Sequence, residues 1–176
     1  MKFLKACLNV DDVWAQKEAL DALGTMKPKP GGVLDLIEPF LKSDHLETKI
    51  AAAKTRYLIT GNEKQFDQFL TEFLNNLPQH RVEWHAKGNS LRVVKAIGEL
   101  KQRGRPFVKT IEAQRKKFEW ENEDRFCDAL KNIGGNEAIK ILKEMSQAKD
   151  WKVKTLATGA LQELGKQKQN SDDSDK

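Results

Sequence analysis

Five stretches of this chain end alike: Ala19-Leu20-Asp21-Ala22-Leu23-Gly24, Tyr57-Leu58-Ile59-Thr60-Gly61, Val94-Lys95-Ala96-Ile97-Gly98, Ala129-Leu130-Lys131-Asn132-Ile133-Gly134 and Ala160-Leu161-Gln162-Glu163-Leu164-Gly165. The closing glycines stand 37, 37, 36 and 31 residues apart. A glycine just past an apolar helical run is the usual residue to end a helix, because it enters the left-handed conformation without a Cβ clash. Recurrence at this period is the mark of a repeat array and takes precedence over any local reading.

A second register agrees with the first. Fourteen residues before the last three glycines stand Trp84, Trp120 and Trp151, three of the four tryptophans in the chain. The slot falls near the start of the second helix of each unit; the earlier units carry Glu47 and Val10 there. Ahead of each second helix lies another apolar stripe. Residues 62–77 place Phe66, Phe69, Leu70, Phe73, Leu74 and Leu77 at spacings of three and four, the period of a helix with one buried face. Val33, Leu36, Ile37, Phe40 and Leu41 do the same. Pro106 suits a first helical position ahead of Val108 and Ile111. Asn136 suits the cap of a helix through Ala138, Ile139, Leu142 and Met145. Longer turns are expected at 78–89 and 118–124. No Asn-Gly or Asp-Gly hairpin joins two alternating runs, so strand signals are nearly absent. The expectation is an all-α chain of about ten helices.

The stretch Gly135-Asn136-Glu137-Ala138-Ile139-Lys140-Ile141-Leu142, followed by Asp150-Trp151-Lys152-Val153-Lys154 and then Ala157, Ala160, Leu161, Leu164 and Gly165, resembles a bacterial-type HEAT repeat. Leu36-Ile37-Glu38-Pro39-Phe40-Leu41-Lys42-Ser43-Asp44 resembles the proline-containing first helix of the same family. The resemblance covers residues 1–165. It implies a right-handed α-solenoid of about five HEAT-like helical hairpins, with units at about 1–24, 25–61, 62–98, 99–134 and 135–165, and with second helices along the concave side. One hairpin cannot cover its own apolar face, so neighbours must share a core. In the first unit the first helix is only Lys2–Leu8, and Phe3, Leu4, Cys7 and Leu8 need a cover. That end is a truncated cap, a cut through a longer array, or a surface covered by another protein. Residues 166–176 are polar and of low complexity, and disorder is expected there.

Composition bounds the function. The 31 Lys and Arg against 26 Asp and Glu leave the 176-residue chain at +5, mildly basic. Cys7 and Cys127 each fall on an apolar stripe and read as small buried hydrophobes, reduced, in a cytoplasmic protein. No apolar run approaches the ~18 residues of a membrane span. His80 and His85 flank Glu83 in one expected loop, but no further His or Cys stands near to complete a metal set. No phosphate loop and no nucleophile beside a base is visible, so no enzyme, no cofactor and no metal is expected.

What remains is binding. The basic stretch Lys101-Gln102-Arg103-Gly104-Arg105, extended by Lys109, Arg115, Lys116 and Lys117, sets seven cations against one acid, Glu112, for a net of +6 over 101–117. It is either a solvated helix face or a patch for phosphates or an acidic partner. The indoles of Trp84, Trp120 and Trp151 either pack across the turn between paired helices or form an exposed ladder. In register along the second helices, Lys17, Lys54, Lys95 and Lys131 make a diagonal that reads as a mildly basic concave face. The function expected is a non-enzymatic protein-protein interaction scaffold that binds a protein or peptide along the concave face. The second reading is a nucleic-acid-binding module using the groove lysines with Arg103 and Arg105.

Overall fold

The computed structural model describes residues 2–29, 31–75, 83–117 and 122–174, with side chains at all of these except 83–87 and 167–174. The chain is all-helical, and the described residues contain ten α-helices, two 3₁₀ segments and no strand. In order they are α1 (Lys2–Asn9) and α2 (Val13–Thr25); α3 (Val33–Ile37), continued by a 3₁₀ segment Glu38–Lys42, and α4 (Leu46–Thr60); α5 (Glu63–Asn75) and α6 (Glu83–Glu99). A second 3₁₀ segment, Lys101–Phe107, leads into α7 (Val108–Lys117), then α8 (Glu123–Ile133), α9 (Gly135–Met145) and α10 (Trp151–Ser174). None of these helices is long and apolar enough to cross a membrane.

Local chemistry explains the boundaries. Asp12 caps α2, its Oδ1 accepting from Trp14 N–H at 2.8 Å and Ala15 N–H at 2.9 Å. Asp150 does the same for α10 with Lys152 and Val153 at 2.8 and 3.2 Å. A carboxylate there satisfies otherwise orphaned N–H groups. Asn62 Oδ1 caps α5 through Gln65 N–H at 3.0 Å. Pro39 has no N–H to give, and the expected single helix from Val33 tightens into 3₁₀ from Glu38 onward. Pro106 likewise lies inside the second 3₁₀ segment, two residues ahead of α7. Asn136 is not a cap; Gly134 holds that position without a side-chain bond, and α9 starts at Gly135. The turn expected at 78–89 is helical from Glu83. Helix α10 carries on to Ser174, through the stretch from 166 expected to be disordered; Lys166-Gln167-Lys168-Gln169 are all good helix formers with no glycine or proline to stop them.

The closing glycines divide into two kinds. Gly61 has φ +68 and ends α4 in the left-handed conformation, and Gly134 has φ +61 after α8. Gly24, Gly98 and Gly165 sit within helices α2, α6 and α10, without positive φ. Two of these three are close-approach positions. A Cβ at Gly24 would meet Leu58 Cδ1 at 3.0 Å and Thr55 Cα at 3.4 Å, and one at Gly98 would lie 2.8 Å from Ala129 Cα.

The chain divides into two compact units, Met1–Ala96 and Ile97–Lys176, with the division inside α6. In the first unit Leu8, Ala19, Leu20, Leu23, Val33, Ile37, Ala51 and Ala52 form one buried cluster, so α1, α2, α3 and α4 share a core. Contacts between α2 and α4 advance together along both helices: Gln16 with Thr48, the Leu20 carbonyl with the Thr55 hydroxyl at 2.8 Å, Gly24 with Leu58. The two second helices therefore run parallel. Tyr57 stacks on Phe66, with ring centroids 5.1 Å apart, and the stack continues through Phe69 and Phe73, tying α4 to α5.

In the second unit, Phe107, Val108, Ile111, Phe126, Leu130, Ile133, Ala138, Leu142, Met145, Val153 and Ala157 are buried. Lys131 meets Glu163, and Gly134 lies beside Leu164. Successive second helices α8 and α10 are thus parallel here as well.

Candidate functional site

The lysine diagonal does not present a row of open ammonium groups. Asp21 on α2 lies between two of its members: Oδ2 meets Lys17 Nζ at 2.9 Å, one turn away on the same helix, and Oδ1 meets Lys54 Nζ at 2.9 Å on α4. Lys17 also reaches Glu18 at 3.0 Å. Burial opposes the Lys17 charge, but hydrogen bonds to Asp21 and Glu18 outweigh it and hold its pKa above the ordinary lysine value. Lys54 is only 6% exposed. Lys131 bridges Asp128 at 3.2 Å and Glu163 at 2.9 Å, and its pKa is raised chiefly by the Glu163 hydrogen bond. Three of the four expected groove lysines therefore pair with this chain's own carboxylates, two of them across adjacent second helices. Lys95 is exposed on α6.

The tryptophans are placed differently. Trp151 opens α10 with 76% of its surface exposed. Trp84 lies on α6 with its side chain outside the description, and Trp120 lies outside the described residues, as does His80. The residue that sequence reasoning passed over is Trp14. It stands in the first turn of α2 and is 68% exposed. Its place one residue after a helix start, as with Trp84 on α6, was a signal available in the sequence. Arg103 and Arg105 are exposed on the 3₁₀ segment before α7. Among the described residues no three His, Cys, Asp or Glu side chains converge as metal ligands.

One buried polar pair also went unread. Glu123, 5% exposed, faces Arg115 at 3.8 Å between α7 and α8, and Glu123 Oε2 and Arg115 Nε are buried without a hydrogen-bond partner. Burial raises the Glu123 pKa above its usual 4.5, against the pull of Arg115 and with a further push from the Asp150 charge. Beside it, burial pushes the Cys127 thiol up to about 12, with Glu123 adding to the effect. A thiol held protonated is a weak nucleophile and a poor metal ligand.

The raised Glu123 pKa has a definite sign for stability. A carboxyl whose folded pKa exceeds its unfolded one favours folding below the unfolded value, and that contribution is lost as pH rises through the folded value. Glu123→Gln should therefore match the parent near pH 4 and melt increasingly above it towards pH 7. Thermal melts of both proteins across that range check this. A variant that falls below the parent at neutral pH would mean that the Arg115 attraction outweighs burial.

Compared with known proteins, the chain matches no family model, no curated protein and no solved structure.

Proposed function

We propose that this chain is a non-enzymatic interaction scaffold whose helical pairs stack as a right-handed HEAT-like solenoid, with a partner protein docking along the edge where second helices begin. The parallel packing of α2 on α4 and of α8 on α10 supports the stacking, since successive hairpins of a solenoid place like helices side by side. The observation that carries the binding reading is the exposure of Trp14 and Trp151, 68% and 76%, each in the opening turn of a second helix. An indole this exposed adds little to the fold. Tryptophan is the residue type most often found as an anchor in partner interfaces. The ion-paired Lys17, Lys54 and Lys131 serve the packing of second helices in this reading, so the docking face is aromatic more than basic.

The test is co-purification of partners from native lysate by the full chain and by Trp14→Ser and Trp151→Ser, quantified by mass spectrometry. A specific partner should lose about 2 kcal/mol of affinity, roughly thirtyfold, in at least one variant. Melting temperatures should stay at the parent value, because neither indole is in the core. Equal capture by all three proteins would overturn the proposal.

A further inference from the structure

The basic stretch before and along α7 survives folding as an exposed surface. Lys101, Arg103, Arg105, Lys109, Lys116 and Lys117 are all exposed, whereas Gly104, Phe107, Val108 and Ile111 turn inward. The acid of the stretch, Glu112, is half-buried and engaged with Lys116 at 2.5 Å. Arg115 is turned towards buried Glu123 and does not belong to the surface. Lys101, Arg105 and Lys109 have no ion pair among the described residues, unlike Lys17, Lys54 and Lys131 of the second helices.

Arg105 lies across the backbone of Gly135. Its side chain lies against Gly135, where an added Cβ would stand 2.9 Å from Nε and 3.3 Å from Cδ. The bare backbone of Gly135 leaves room for the guanidinium stem to lie against it. Lys109 and Lys116 stand two helical turns apart on α7, about 10 Å along its axis, on one face.

We infer that this surface docks the sugar-phosphate backbone of a nucleic-acid duplex. The choice over a protein follows from what the patch lacks: the large exposed hydrophobics among the described residues are Phe3, Val10, Trp14, Leu34 and Trp151, and none lies in 101–117. A protein partner is gripped mainly by aromatic and apolar anchors. Phosphates need only cations, whose binding releases counterions. The choice of duplex over single strand follows from the same observation, because sequence-tolerant binding of unpaired bases rests on aromatic side chains on which they stack. Contacts to phosphate carry no sequence information, so binding is expected to be indifferent to sequence. This inference is independent of the aromatic docking edge, since Trp14 and Trp151 take no part in it.

The test is fluorescence anisotropy of the full chain with a labelled DNA duplex of about 20 base pairs at 50 and 200 mM salt. Neutralising about four phosphates predicts a loss of roughly a hundredfold in affinity between those concentrations. The triple variant Lys101→Glu/Arg105→Glu/Lys109→Glu should bind the duplex at least a hundredfold more weakly at low salt with an unchanged melting temperature. If that variant fails to fold, Lys109→Gln alone should lower the slope of log affinity against log salt by about 1. Trp14→Ser/Trp151→Ser should bind as the parent does. Failure of the parent to bind the duplex at 50 mM salt overturns the inference. So do undiminished binding by the charge variants, tighter binding of a single strand, and tighter binding of poly-glutamate, which would assign the surface to an acidic protein.

Discussion

Asp21→Ala is expected to destabilise the protein by about 3 kcal/mol, the low end of the range for breaking a buried ion pair from one side. The carboxylate holds two ammonium groups at 2.9 Å, and the Lys54 side chain is only 7% exposed. Without Asp21, Lys17 keeps Glu18 at 3.0 Å, while the nearly buried Lys54 loses its 2.9 Å contact in the packed seam between α2 and α4. That seam also carries the buried Thr55 hydroxyl bond to the Leu20 carbonyl and the close contact at Gly24. Urea unfolding of the full chain should show a midpoint lower by more than about 1 M. The double variant Asp21→Leu/Lys54→Met should recover most of the loss, because replacing both partners by apolar groups of similar size is often neutral. A cost below about 1 kcal/mol for Asp21→Ala would show that the pair is solvated and that Lys54 is available to a ligand after all.

Alanine at the closing glycines should give opposite signs at positions the sequence treats as equivalent. In a helix interior glycine costs about 1 kcal/mol relative to alanine. At Gly165 a Cβ would meet nothing within 4 Å, so Gly165→Ala should stabilise by up to that amount. At Gly98 the same Cβ would stand 2.8 Å from Ala129 Cα and 2.9 Å from Ala129 Cβ, and α6 and α8 would have to move apart. Overpacking of this kind costs about 1–3 kcal/mol, occasionally more, and outweighs the gain in helix propensity. Gly98→Ala should therefore lower the melting temperature, and Ala129→Gly in the same chain should partly restore it despite its own helix penalty. A stabilised Gly98→Ala variant would mean that α6 and α8 do not approach as described.

Much of the fold was legible because it rests on neighbours three or four residues apart. The stripe Phe66, Leu70, Leu74 became the buried face of α5, and Val33 with Ile37 the buried face of α3. The candidate site was legible only as a roster. Exposure of Trp151 and of the 101–117 cations was one of two readings left open by spacing alone, since a helix of known phase can still be covered or bare on any face. The ion pairs of the lysine diagonal were not legible in the sequence. Each member lay on a second helix, but the carboxylates that take up Lys54 and Lys131, Asp21 and Glu163, lie more than thirty residues away and follow no local period.

By itself, then, the sequence determined an all-helical chain, because periodicity, caps and breakers act within a turn or two and strand signals were nearly absent. Tertiary structure alone decided which closing glycines end helices and which let two backbones touch. It also decided which cations face water and which pair with a carboxylate. Those outcomes depend on the distance and direction of a neighbouring helix, and that geometry is set by the packing of side chains far apart in sequence.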